Sequence, residues 1–100
     1  MHKTKLESAF QQQVIKYLEE RNIWYFRAMA IGSSFGLPDI IAIYKGYFVG
    51  IECKRDEHSK RTQLQELMQQ SIVNAGGFYE FVWSISQVAS LLERVGAHVN

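Results

Sequence analysis

Three residues near the middle of this chain have the types and the spacing to do chemistry together. Asp39 is followed, after twelve intervening residues, by Glu52-Cys53-Lys54. Between them lie two apolar runs that meet at Lys45-Gly46. Each run is of strand length and rich in β-branched and aromatic residues, so together they predict a β-hairpin. The runs are apolar at successive positions rather than alternating, which is how strands covered on both sides read. If Lys45 and Gly46 form a two-residue turn, Tyr44 opposes Tyr47 and Asp39 opposes Glu52. Directly opposed residues share a face, and the two-residue repeat along a strand turns Lys54 the same way as Glu52. Two carboxylates and an ammonium then meet at the open end of the hairpin. A slip of one residue would part them.

Two chemistries fit that trio. One is a cross-strand salt bridge at a solvated strand end, contributing ~0–1 kcal/mol. The other is a divalent-metal site, because two hard carboxylate ligands with open positions beside them suit Mg²⁺ or Mn²⁺. A metal would also account for carboxylates placed close to a core that otherwise penalises them.

The order Pro38-Asp39, twelve residues, Glu52-Cys53-Lys54 resembles the PD-(D/E)xK nuclease signature. With Gly36 ahead of it, the stretch is close to the stand-alone virus-type replication-repair nuclease (VRR-NUC) domain and is similar to the archaeal Holliday-junction resolvases. The resemblance spans roughly residues 4–94. It implies a Mg²⁺- or Mn²⁺-dependent endonuclease that is selective for DNA structure and serves repair, recombination or phage replication. Asp39 and Glu52 would be direct metal ligands and the Cys53 carbonyl a third. Lys54 would approach the attacking water or the scissile phosphate, either as a base or as a fixed positive charge. The resemblance also brings in Glu7, as a further acid reaching the metal from the first helix, and Gln65, as a glutamine beside the lysine. Ser33 enters through the Gly-Ser that contributes to resolvase sites. The resolvases act as homodimers on branched DNA, and the same is expected here.

The elements that must carry these residues can be read from periodicity. Leu6, Phe10, Val14 and Leu18 recur at helical spacing within 4–21, with Thr4 and Glu7 placed as a capping box. Glu7 therefore has a structural use as well as the implied catalytic one. Residues 23–30 read as a strand whose single charge, Arg27, suits either a carboxylate partner or a DNA phosphate. Gly32-Ser33-Ser34-Phe35-Gly36 spells the nucleophile-elbow pattern, but it leads into Pro38 and a strand instead of a helix, so a hydrolase reading fails. After Lys54 comes a polar, mobile loop. It carries Arg55, Lys60 and Arg61, a local basic cluster suited to phosphate contacts. A helix from about Thr62 to Asn74 follows, with Leu64, Leu67, Met68, Ile72 and Val73 at helical spacing and Thr62-x-x-Gln65 as a second capping box. Phe78 to Trp83 reads as a fourth strand, parallel to its neighbour because a helical crossover precedes it. The last helix is capped by Ser84 or Ser86 and ends at Gly96.

The order αβββαβα predicts an α/β fold, a four-stranded mixed sheet flanked by helices with the hairpin central. By resemblance this is a restriction-endonuclease-like core. One hundred residues suffice for a single domain, 1–100. No apolar run is long enough to span a bilayer, and one cysteine excludes an internal disulfide, so a cytoplasmic location in a bacterial or phage-infected cell is expected. The net charge of +1 puts any DNA binding down to local clusters. No nucleotide cofactor is expected. The alternative function is a partner-dependent or non-catalytic nucleic-acid-binding module of the same fold.

Overall fold

The computed structural model describes residues 4–28 and 35–99. The elements follow the predicted order: α1 (Lys5–Glu20), β1 (Trp24–Arg27), β2 (Ile40–Tyr44), β3 (Tyr47–Cys53), α2 (Gln63–Asn74), β4 (Phe78–Val82) and α3 (Ile85–Gly96). All three helices open on a capping box, from Thr4 with Glu7, Thr62 with Gln65, and Ser84 with Gln87. In each box a hydroxyl and a carboxylate or amide satisfy two backbone N–H groups that the first helical turn leaves open.

The sheet order is β1-β2-β3-β4, so the hairpin is central. β1, β2 and β3 are antiparallel neighbours, and β4 joins β3 in parallel across the α2 crossover. The turn is the two-residue one: Lys45 (φ 51°) and Gly46 (φ 86°) both take the left-handed region that such hairpins require. Tyr44 consequently pairs with Tyr47, and Ile40 with Ile51.

That register sorts the sheet into two unlike faces. On one, Ile40, Ala42, Val49, Ile51 and Cys53 are buried against Val14 and Leu18 of α1 and Val88 and Leu91 of α3. Each such aliphatic side chain contributes roughly 1.5–3 kcal/mol when fully buried. The other face is covered only in part. α2 lies toward β4, leaving Trp24, Phe26 and Ile43 of β1 and β2 exposed. α2 itself has no fully buried residue, and its Leu64, Leu67 and Val73 are half exposed. The expectation that both hairpin faces are covered therefore holds fully on the α1–α3 side and in part on this one, where Gly50 and Glu52 are buried but Ile43 is exposed. One short helix cannot span four strands.

Two glycines permit the close approaches that set the segment before β2. Gly36 is left-handed (φ +74°), and a Cβ there would stand 2.4 Å from the Leu64 carbonyl oxygen. A Cβ on Gly50 would stand 2.8 Å from Cγ of Pro38 and 3.3 Å from Cδ2 of Tyr79. Pro38 is fully buried against this bare stretch of β3. Gly50→Ala should therefore cost about 1–3 kcal/mol through overpacking, read as a lowered urea midpoint. An unchanged midpoint would mean that the Pro38 segment yields freely.

Candidate functional site

Asp39 lies one residue beyond the last β2–β3 pair, opposite Glu52, as the turn register demands. Each acid is tied to backbone across the hairpin, Glu52 to that of Asp39 and Asp39 to that of Cys53. The Asp39 N–H donates to Oε1 of Glu52 at 3.1 Å, and the Cys53 N–H donates to Oδ2 of Asp39 at 2.8 Å. Hydrogen bonds onto a carboxylate are the strong, charge-assisted kind. They matter most for Glu52, which is only 2% exposed and could not be buried without partners.

The other oxygen of Glu52 meets α2. Nε2 of Gln65 donates to Oε2 of Glu52 at 2.8 Å, while Oε1 of Gln65 accepts from Nζ of Lys54 and from the Thr62 N–H, both at 3.0 Å. The partners fix the amide's orientation, since its oxygen faces donors and its nitrogen faces a carboxylate. Nζ of Lys54 also donates to the Lys60 carbonyl at 3.0 Å and stands 3.9 Å from Oε2 of Glu52. Lys54 is 6% exposed, so this pair is shielded from water, unlike a surface salt bridge. The solvated strand-end reading of the trio does not describe it.

The basic loop after Lys54 carries hydrogen bonds of its own. Asp56 accepts the His58 N–H at 2.8 Å and Nε of Arg55 at 3.2 Å, and the Ser59 N–H donates to the Asp56 carbonyl. The His58 N–H, with help from Arg55, holds the Asp56 carboxyl below its ordinary range. The guanidinium of Arg61 lies 4.2 Å from the centre of the Phe81 ring, and Nζ of Lys54 lies 5.9 Å from the same ring. The ring of Phe81, which pairs with Glu52 across β3 and β4, thus has two cations within cation–π range.

The structure accordingly brings Asp39, Glu52, Lys54 and Gln65 into one network, with Lys60 joining through its backbone. The side chain of Cys53 is buried in the core while its N–H holds Asp39. Glu7 accepts the Thr4 N–H at 2.9 Å, so its capping use is realised. Arg27 belongs to the opposite sheet face, because it pairs with Ile40. Its Nη2 donates to Oε1 of Gln11, and its buried Nε has no hydrogen-bond partner among the described residues. Arg55 is exposed and paired with Asp56. Ser33 lies outside the described residues.

Tyr79 and the Lys60 carbonyl join the site without having been singled out in the sequence. Tyr79 is buried on β4, and its hydroxyl donates to the Gly36 carbonyl at 3.0 Å. Burial, reinforced by the charges of Glu52 and Asp39, pushes its phenol far above its ordinary pKa. Its two-residue offset from Phe81 was visible, but its strand partner was not, since no tight turn sets the register of a parallel pair.

The donor set suits a hard divalent cation. Two carboxylates share a face, and Mg²⁺ is commonly held by one or two carboxylates, with water and substrate oxygens filling the rest. Among the described residues no three acid, histidine or cysteine side chains are grouped to hold an ion by themselves.

A mixed four-stranded sheet whose central hairpin presents Asp39, Glu52 and Lys54 on one face has the build of a PD-(D/E)xK-type nuclease, a restriction-endonuclease-like core. The chain belongs to the archaeal Holliday junction resolvase (Hjc) family, whose family model matches residues 2–75. This is a family of nucleases acting on DNA, and its match runs from α1 through α2. Comparison with curated proteins and with solved structures gave no match.

Gln65 has two separable duties, as a cap and as a bridge between Glu52 and Lys54. Thr62→Ala removes the cap hydroxyl alone and should cost about 1 kcal/mol. Gln65→Leu also leaves two buried charges short of a partner and should cost about 1–3 kcal/mol more, measured by urea unfolding. Equal losses would reduce Gln65 to a helix cap.

Proposed function

We propose that the protein is a metal-dependent endodeoxyribonuclease selective for branched or junction-containing DNA, working in repair, recombination or phage replication. The observation that carries this reading is the pairing of Asp39 with Glu52 on one face, with the shielded Lys54 ammonium beside them. Family membership supports the junction substrate.

Asp39, Glu52 and the Cys53 carbonyl would hold Mg²⁺ or Mn²⁺, with Glu7 contributing directly or through water. When bound, the ion supplies a Lewis acid for a phosphoryl oxygen and a more acidic water. Nζ of Lys54 donates to the Lys60 carbonyl and to the Gln65 amide oxygen and stands beside Glu52, so its protons are turned toward acceptors of the protein itself. We therefore assign it the fixed positive charge that meets charge developing on the phosphate, rather than the role of base. Gln65 holds that charge in place. Arg55, Lys60 and Arg61, in the segment that follows Lys54, would bind the DNA backbone, with Ser33 as a further contact, while Arg27 on the opposite face is taken up by Gln11. Such contacts make binding steeply salt-dependent and carry no base sequence. Selectivity would then rest on DNA shape.

Two strands at a junction call for two active sites, and a homodimer provides them. The uncovered side of the sheet offers a surface for it: Trp24 and Phe26 on β1, and Leu64 and Leu67 on α2, each expose half or more of their area. Joined into one patch, such residues would make an interface. Phe26→Asp should shift the protein from dimer to monomer in sedimentation, while circular dichroism stays native. An unshifted dimer would place the interface elsewhere.

The activity is tested with labelled four-way, flapped and linear DNA, with and without Mg²⁺ or Mn²⁺. Cutting should require the metal, prefer the branched forms, and fall about a hundredfold or more in Asp39→Ala and Lys54→Met. Binding without cutting under any metal would leave a partner-dependent binding module in its place.

A further inference from the structure

We infer that Tyr79 is a positioning residue that sets the aim of Asp39 and thereby the protein's affinity for its cation. This rests on the reading of Asp39 and Glu52 as a divalent-metal site. Tyr79 belongs to β4, beyond the residues matched by the family model, and is paired with Gly50 of β3. Its side chain is 2% exposed, and its hydroxyl donates to the Gly36 carbonyl at 3.0 Å. Gly36 stands three residues before Asp39, in a backbone conformation that presses it against the Leu64 carbonyl.

The segment from Gly36 to Asp39 is held at three points. The phenol holds Gly36, the bare Gly50 receives the Pro38 ring, and Glu52 accepts the Asp39 N–H. The last two come from β3, the strand that pairs with β2. The first ties the segment to another strand, and that strand is itself fixed to α2 by Nε2 of Gln69, which donates to the Tyr79 carbonyl at 2.9 Å. Tyr79 thus couples the approach to Asp39 to the same helix that presents Gln65 to Glu52. The phenol keeps its proton in this buried, negatively charged setting and is a permanent donor.

Removing the hydroxyl alone would free the Gly36 carbonyl to turn, and with it the peptide run that leads into Asp39. Mg²⁺ tolerates little departure from octahedral geometry. The loss should therefore fall on how much metal is needed, and not on the rate once metal is saturating.

The test compares the full-length wild type with Tyr79→Phe, which keeps the ring that packs on Gly50. Two quantities are measured: the Mg²⁺ dependence of cutting on a labelled four-way junction, and Mn²⁺ binding by electron paramagnetic resonance. The half-saturating Mg²⁺ should rise about threefold to tenfold, at or below the low end of the scale for groups bonded directly to a metal ligand, because the phenol acts on Asp39 through the Gly36 backbone. Mn²⁺ affinity should fall in parallel, with the rate at saturating Mg²⁺ kept. Incorporating 4-aminophenylalanine at position 79 restores a donor and should restore the metal requirement. Val95→Ala, in the core under α3, should lower the melting temperature without moving that requirement. An unchanged Mg²⁺ requirement in Tyr79→Phe overturns the inference, as does a rate loss at constant requirement or a chain that no longer folds. A wild type that binds no Mn²⁺ and cuts no DNA removes the metal-site reading itself, and this inference with it.

Discussion

Two carboxylates held side by side repel, and the rest of this structure can be understood as the means of tolerating that. Asp39 and Glu52 each accept a backbone N–H from the other's strand, so the ends of the hairpin are stitched by the acids themselves. Glu52 is buried and needs more than one partner. Gln65 supplies a second donor, and Lys54 an opposite charge. A charged pair in a shielded place is held together only if the remaining hydrogen-bonding positions are also met. The Lys60 carbonyl and the Gln65 oxygen meet those of the ammonium. The network is therefore one in which each member helps to justify the burial of the next.

That network explains the economy of α2. The helix buries no residue completely, which would be a poor return if its purpose were to build a core. What it contributes is its first turn. Thr62 caps it, and the amide that completes the cap also bridges the acid and the lysine. The main chain of Gly36 sits against Leu64 of the same turn. Stability comes instead from the opposite face, where α1 and α3 bury the aliphatic side of β2 and β3. Core and chemistry thus occupy opposite sides of one sheet, and the alternation of side chains along a strand keeps them apart. Cys53 shows the division within a single residue, with its thiol in the core and its N–H on Asp39.

Local signals in the chain carried a good deal of this. Capping boxes are short-range patterns, and Thr4-Glu7 and Thr62-Gln65 form where their spacing puts them; of the two serines offered for the last helix, Ser84 is the cap, with Gln87 completing a third box not expected from the sequence. The Lys45-Gly46 turn determines the hairpin register, because a two-residue loop allows one pairing and no slack. From that register alone Asp39 faces Glu52. The half-bare sheet face was not legible. Leu64, Leu67 and Val73 have helical periodicity whether a helix covers two strands or four. The hydrogen bonding of the basic loop was hidden for a different reason. Asp56 works through the N–H of His58 and the backbone of Ser59, and backbone donors have no letter in the sequence.

The amino-acid order by itself determined which residues could meet across the hairpin, since turn geometry and the two-residue repeat act over a few positions. It also determined the element types and their caps. Only the tertiary structure decided which groups close around Lys54, how far α2 reaches across the sheet, and that Tyr79 steadies the approach to Asp39. Those contacts join a helix and a parallel strand whose offsets no short loop dictates. They depend on how the whole chain packs, and packing is a property of volumes and backbone groups brought together from distant places.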